Sequence, residues 1–419
     1  MLRHFLLLLF VMVFTTCTRA QEPKTNRPDQ IAKPYVVLIS LDGFRWDYVE
    51  RFQPPHLKAF IEEGVTADAM IPCYPSKTFP NHYSIATGMR PMQHRLVGNS
   101  FYDAKKGKVY ATSKRDIVQD GSWYGGTPIW VNAELQGMVS ASYFFVGSEA
   151  DVKGIRPSYY YNYDGSVPNE KRVEKMLEWL RLPEANRPHL IAGYFSDMDD
   201  AGHRYGPNDD ENLKKVLFAL DEVLGQLFEG VKKLDIPVNI IIVSDHGMAE
   251  VALDQLIPFE PLESEEDYIL VSQGALLHIY LKEGANADSV IHRLRTLEWA
   301  EHYTVYKATD FPYYIGPRLD PRVGDIIVLP DFPWYFTSSR SFAFLKNMGR
   351  GVMGEHGYPT AYREMHGIFY AAGPAFEPGA RVKAFENIHV YPLICEILGL
   401  EVPKEVEGSI EVLKGVLRK

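Results

Sequence analysis

Tyr35-Val36-Val37-Leu38-Ile39-Ser40-Leu41-Asp42-Gly43 is an apolar run that stops at a carboxylate and a glycine. A strand apolar on nearly every residue is buried on both faces, which is the condition of a central parallel strand covered by helices. Two later runs share the form. His189-Leu190-Ile191-Ala192-Gly193-Tyr194-Phe195 precedes Asp197 and Asp199, and Asn239-Ile240-Ile241-Ile242-Val243-Ser244 ends at Asp245-His246-Gly247. Polar groups just beyond the carboxyl ends of several strands occupy the edge at which an open α/β sheet binds its ligands.

Between these runs the apolar period changes from continuous to helical. Leu213, Val216, Leu217, Leu220, Val223, Leu224, Leu227 and Val231 recur at helical spacing among acids and lysines, and residues 171–182 and 389–400 are further amphipathic stretches. The alternation predicts an α/β fold with a mostly parallel central sheet and helices on both faces. Residues 250–350 carry no metal-type ligand cluster. They read as a smaller α+β insertion that caps the core, with strands at 274–281 and 325–329 and a helix at 288–297. Glycine-rich sequence then leads to Gly354-Glu355-His356-Gly357-Tyr358 and a strand at 367–372.

The 419 residues are 46% hydrophobic and 23% charged, which suits one large domain bearing an insertion. The net charge of -10 argues against broad binding of duplex nucleic acid, which needs a basic surface. Small anionic substrates remain compatible with it, because bound divalent cations dominate a local field. Residues 1–20 read as a signal peptide: a short basic start, an apolar run from Phe5 to Phe14, and cleavage after Ala20. Lipid attachment at Cys17 is the alternative. Residues 21–33 read as a flexible lead-in, and 34–419 as the catalytic domain. No later segment is apolar enough to span a bilayer, and the expected state is a monomer or weak oligomer. Cys73 and Cys395 read as unpaired thiols.

Asp42, Asp199 with His203, Asp245 with His246, and His356 arrive in four separate packets, each of a residue type that suits a borderline metal such as zinc. Asp245 and His246 are adjacent and would face opposite ways in a strand, so both reach one ion only if the chain turns at Gly247. Thr78, in Pro75-Ser76-Lys77-Thr78-Phe79-Pro80-Asn81-His82-Tyr83, supplies a hydroxyl, a poor nucleophile until a metal activates it. The set points to a two-metal enzyme that attacks phosphorus through Thr78.

Taken in order, Leu41-Asp42-Gly43, Lys77-Thr78-Phe79-Pro80-Asn81-His82-Tyr83, Asp199-x-x-Gly202-His203, Asp245-His246-Gly247-Met248 and Gly354-x-His356-Gly357-Tyr358 resemble the nucleotide pyrophosphatase/phosphodiesterase family of the alkaline phosphatase superfamily. The resemblance runs from about Tyr35 to Leu400. It implies an alkaline-phosphatase-like core and two Zn2+ ions, one held by Asp42, Thr78, Asp245 and His246 and the other by Asp199, His203 and His356. It also implies a transient nucleotidyl ester on Thr78, and a phosphoryl oxygen held by Asn99 in Gly98-Asn99-Ser100. Phe79 and a downstream tyrosine, matched to Tyr160, would sandwich the base. Lys77 and Glu149 would border the site, Lys77 within reach of a distal phosphate.

The implied activity is hydrolysis of nucleotides and related phosphodiesters to nucleoside 5'-monophosphates. The sulfatase branch needs Cys or Ser followed by x-Pro-x-Arg, whereas Phe79-Pro80-Asn81-His82 follows Thr78. A phosphomonoesterase would need an additional cation. A lysophospholipid or choline-phosphate diesterase stays open, because such relatives share the metal site and differ in the pocket. Phe144-Phe145-Val146-Gly147-Ser148-Glu149 is one residue shorter than the family's loop and lacks its tryptophan.

Overall fold

Every residue of the strand Tyr35–Leu41 is buried, and it pairs in parallel with Leu190–Phe195 on one side and Val238–Val243 on the other. These come from a computed structural model that describes residues 24–347 and 351–418. Alternate side chains of a strand point to opposite faces, and here each face meets its own layer of helices. Val37, Ile39 and Leu41 pack with the helices Asn169–Leu180 and Asp210–Lys232. Val36 and Leu38 pack with the helices Thr78–Thr87 and Val390–Leu398. Burying one such aliphatic side chain contributes roughly 1.5–3 kcal/mol, so a strand apolar on both faces has a single stable place, the middle of the sheet.

The sheet has eight strands in the order Arg381–Val382, Val65–Ala67, Phe369–Ala372, Val238–Val243, Tyr35–Leu41, Leu190–Phe195, Ser140–Tyr143 and Tyr159–Tyr161. It is parallel except at Phe369–Ala372, which runs antiparallel to both neighbours. The cause is the chain path. After Val243 the backbone stays at the carboxyl edge to build the insertion, and re-enters from that edge without a crossover helix, so the next strand runs downward.

The insertion forms its own four-stranded antiparallel sheet, ordered Tyr268–Ser272, Leu277–Leu281, Ile326–Pro330 and Tyr303–Lys307, over a small separate core. The strand expected at 274–281 starts only at Leu277, because Gln273-Gly274-Ala275 make the turn and Gly274 takes φ +75. The helix expected at 288–297 spans Ala287–Leu294.

The expected flexible lead-in is tied down from Asn26 onward. The Asn26 amide donates to the Glu184 and Arg187 carbonyls and accepts from Val139 N–H, which fastens this segment to the sheet edge. The signal peptide and Cys17 lie outside the described residues. Among the described residues no helix is long and apolar enough to cross a membrane. Cys73 and Cys395 are free and buried, and burial pushes both thiols up to about 12.

Candidate active site

Three strand ends and one hairpin bring the metal-type ligands together. Asp42 follows Tyr35–Leu41 directly, and Asp245 and His246 follow Val238–Val243 in an irregular turn. That turn is closed by Ser244 Oγ donating to the His246 carbonyl and Gly247 N–H to the Met365 carbonyl. Asp199 and His203 lie one turn apart on the helix Asp197–Tyr205. His356 follows Val352–Glu355, which pairs antiparallel with Ala249–Ala252. Gly43 has φ +63, and a Cβ there would lie 2.8 Å from Asp199 Cα, so glycine lets the two acidic segments approach.

All three imidazoles present the same nitrogen to the centre. His203 Nδ1 lies 2.7 Å from the Gly354 carbonyl, His246 Nδ1 2.8 Å from the Gly247 carbonyl, and His356 Nδ1 2.8 Å from the Ser76 carbonyl. A carbonyl accepts only, so each Nδ1 carries the proton and each Nε2 lone pair faces inward, the arrangement a metal ligand needs. His246 Nε2 stands 3.3 Å from Thr78 Oγ1, 3.4 Å from Asp42 Oδ1 and 3.1 Å from Asp245 Oδ2. Asp199 Oδ1 lies 3.4 Å from His203 Nε2 and 3.8 Å from His356 Nε2. The rings of His246 and His356 stack at 3.6 Å, so His246 borders both groups.

Asp42 Oδ1, Asp199 Oδ1 and Asp245 Oδ2 are buried oxygens without a hydrogen-bond donor. Buried polar atoms are nearly always satisfied, and three orphaned carboxylate oxygens facing three imidazole lone pairs fit divalent metal ions. The electrostatics reflect the crowding of these groups: burial would depress His203, but Asp199 and Glu355 overcome it and raise that imidazole. Burial and the charges of Asp245 and Asp199 push the Asp42 carboxyl well above its usual range. Burial also raises Asp245, but His246 and His82 overcome it and hold that carboxyl well below its usual range. Burial and the neighbouring His246, Lys77 and His203 depress His356 strongly, favouring its neutral, ligating form.

Thr78 opens the helix Thr78–Thr87, where backbone N–H groups and the helix dipole favour negative charge. Asn99 Oδ1 accepts the Phe79 N–H at 2.9 Å, which turns the Asn99 amide and leaves its Nδ2 hydrogens for another acceptor. Phe79 is half-buried and meets Tyr110 edge-on at 6.4 Å. Lys77 is 5% exposed rather than solvated. Its Nζ lies 5.4 Å from the centre of the Tyr335 ring, and burial lowers its pKa against the opposing pull of Glu355 and Asp199. The Glu149 carboxylate is taken by Arg115 and by Gln119 Nε2 at 3.0 Å.

Tyr160 is not brought to this cluster. It lies on the edge strand Tyr159–Tyr161, 38% exposed, with the Arg156 guanidinium over its ring. Three residues on, Tyr163 sets its ring 6.1 Å from Tyr194, whose hydroxyl donates to Asp42 Oδ2 at 2.6 Å. Tyr163 lies two residues past that strand and is itself 40% exposed, and a run of neighbouring tyrosines conceals from sequence which ring meets Tyr194.

A family model described as type I phosphodiesterase / nucleotide pyrophosphatase matches residues 36–359. The chain belongs to this family. It is 32% identical over 95% of its length to a venom phosphodiesterase of Crotalus durissus collilineatus, covering 48% of that protein. It is 33% identical over 96% of its length to ectonucleotide pyrophosphatase/phosphodiesterase family member 1 of Mus musculus, covering 45% of it. The chain thus spans about half the length of the curated relatives it matches. Among solved structures, murine ectonucleotide pyrophosphatase/phosphodiesterase 5 aligns over 92% of this chain and 100% of its own, at TM-score 0.82 and 30% identity. An inactive threonine-to-alanine form of that protein, in complex with AMP, aligns at TM-score 0.83. The alkaline-phosphatase-like α/β core expected from the sequence is therefore the fold of the family.

Two residues of the site fall outside the set expected from the sequence. His82, fully buried, has Nδ1 2.9 Å from the Thr78 carbonyl and 3.1 Å from Asp245 Oδ2, while Ser40 Oγ lies 2.9 Å from its Nε2. Asp42, His82 and Asp245 also lie close enough to share an ion. The Thr78 carbonyl accepts the Nδ1 proton, so His82 holds the Thr78 backbone and sets its ring beside Asp245, whose Oδ2 it leaves without a donor. Its position one turn after Thr78 is the clue the sequence offered. Gln273, from the insertion, accepts the Asn99 N–H through Oε1 at 2.9 Å, and a Cβ on Gly98 would collide with its amide.

Proposed function

We propose that this protein is an exported two-zinc phosphodiesterase/pyrophosphatase that hydrolyses nucleotides and related phosphodiesters to nucleoside 5'-monophosphates. The observation that carries the reading is the placement of Thr78: its hydroxyl stands at a helix N-terminus, 3.3 Å from His246 Nε2, with Asn99 fastened to the next backbone N–H.

Asp42, Asp245, His246 and Thr78 would hold one zinc, and Asp199, His203 and His356 the other. Bound there, the ions supply Lewis acidity that lowers the pKa of a hydroxyl or water and offsets phosphoryl charge. The Thr78 Oγ1–phosphorus bond forms as the bond to the leaving oxygen breaks, and the Thr78 hydroxyl proton passes by way of solvent to the leaving oxygen. Water then cleaves the Thr78 ester, releasing the nucleoside 5'-monophosphate and restoring the hydroxyl. Asn99 Nδ2 donates to a non-bridging oxygen where charge gathers, a contact worth several kcal/mol in such sites. Phe79 offers a face for the base, and Lys77 a cation beside the phosphoryl position. The venom phosphodiesterases among the relatives support an extracellular setting.

The test is kcat/KM for nitrophenyl thymidine 5'-monophosphate beside nitrophenyl phosphate on one zinc-loaded preparation. A large preference for the diester is expected. Preference for the monoester would keep the metal site and overturn the substrate class.

A further inference from the structure

A phosphodiester has two arms, and the residues flanking Thr78 diverge. Phe79 packs toward Tyr110 in the core, whereas Lys77 reaches the other way, to Tyr335 of the insertion. Beyond Lys77 a groove of about 890 Å³ opens between the Asn99-Ser100 segment and the insertion. Its size falls within the roughly 300–1,000 Å³ of small-molecule sites.

The strand Tyr268–Ser272 forms one wall. Tyr268 and Leu270 pack with the insertion's own core, Leu270 also reaching the groove edge, and Ile269 and Val271 line the groove from the strand's other face. Across from them Phe344, 63% exposed, lines the same space from the helix Ser339–Asn347. Lys77 and Glu355 are the only charged groups among the described lining residues, so the groove carries no net charge. The rest of its polar wall is neutral, with hydroxyls such as Ser100, Ser272, Thr337 and Ser341.

We propose that this groove receives the leaving arm of the diester and that the arm it fits is a nucleoside. A polyanionic arm meets a single cation opposed by an anion. A hydrocarbon chain would cover hydroxyls without offering them partners, which costs free energy. A nucleoside answers both features: its base stacks on the exposed Phe344, and its sugar hydroxyls face the serine and threonine wall. The proposal rests on the phosphodiesterase reading above, with the 5'-nucleotide arm on the Phe79 side.

The test holds a thymidine 5'-phosphoryl arm constant and varies the leaving arm among nitrophenol, pyrophosphate, a nucleoside joined through its 3' oxygen, and hexadecanol. Ile269→Trp fills the groove, and Phe344→Ala removes the exposed ring without touching a core. Each is expected to lower the ratio of kcat/KM for the dinucleoside ester over the nitrophenyl ester by roughly ten-fold, the size of one base–aromatic stack. The triphosphate ratio should stay within about two-fold, a loss too small for a stacking contact. In the Thr78→Ala protein, where turnover plays no part, Phe344→Ala should weaken equilibrium binding of the dinucleoside ester and spare thymidine 5'-monophosphate. An unmoved dinucleoside ratio overturns the proposal while leaving the phosphodiesterase reading intact. A hexadecyl ester losing as much as the dinucleoside assigns the groove to hydrocarbon and overturns the nucleoside. No hydrolysis of any ester by the zinc-loaded wild type overturns both.

Discussion

The carboxyl edge of the central sheet and the insertion above it hold the site in different ways. At the sheet edge Asp42, Asp245, His246 and His356 follow strands by a residue or a few, Asp199 and His203 sit on one short helix, and backbone carbonyls orient the imidazoles of His203, His246 and His356. The insertion acts through side chains reaching onto one core segment. Gln273 binds Asn99 N–H, Tyr280 Oη accepts Tyr102 N–H, and Arg322 pairs with the buried Asp103 at 2.8 Å. A cluster built on adjacent strand ends is positioned by the fold itself. Asn99, held by a side chain from residues 250–350, is positioned by a contact that one substitution can remove.

The largest effects should come from the sheet edge. Chelation is expected to abolish turnover and to lower the melting temperature, because Asp42, Asp199 and Asp245 would face one another without cations. Activity returning with added zinc, followed beside metal content, checks this; full activity in metal-free protein would break the comparison. Thr78→Ala should cost roughly four orders of magnitude in kcat and leave metal content and melting nearly unchanged.

The seam should give graded losses. Asn99→Ala is expected to lower kcat by roughly 10²–10³. Gln273→Ala should cost roughly ten-fold and nothing further in an Asn99→Ala background, since Gln273 acts through Asn99. Equal losses in both backgrounds, measured as a double-mutant cycle, would detach the insertion from phosphoryl binding. The smallest effect belongs to Phe79→Ala, roughly five-fold in the preference for nucleotides over simple diesters.

Much of this was legible in the chain. Runs ending at Asp42, before Asp199 and at Asp245 marked three neighbouring buried strands; the chain bends at Asp245 rather than at Gly247, where the turn was expected. The antiparallel sense of Phe369–Ala372 was not legible, because a strand's direction depends on the edge from which the chain returns. Nor was the fastening of the lead-in, which rests on Asn26 meeting carbonyls 158 and 161 residues away.

By itself the sequence determined the α/β core, because continuous apolar runs alternating with helical periods have one physical reading, and it offered the four packets of metal-type residues and Thr78 as candidates. The tertiary structure decided that Tyr163 rather than Tyr160 meets Tyr194, that His82 lies beside Asp245, that Lys77 and Phe79 part company, and that Gln273 grips Asn99 across 174 residues. Those depend on the meeting of segments distant in the chain, which local pattern does not carry.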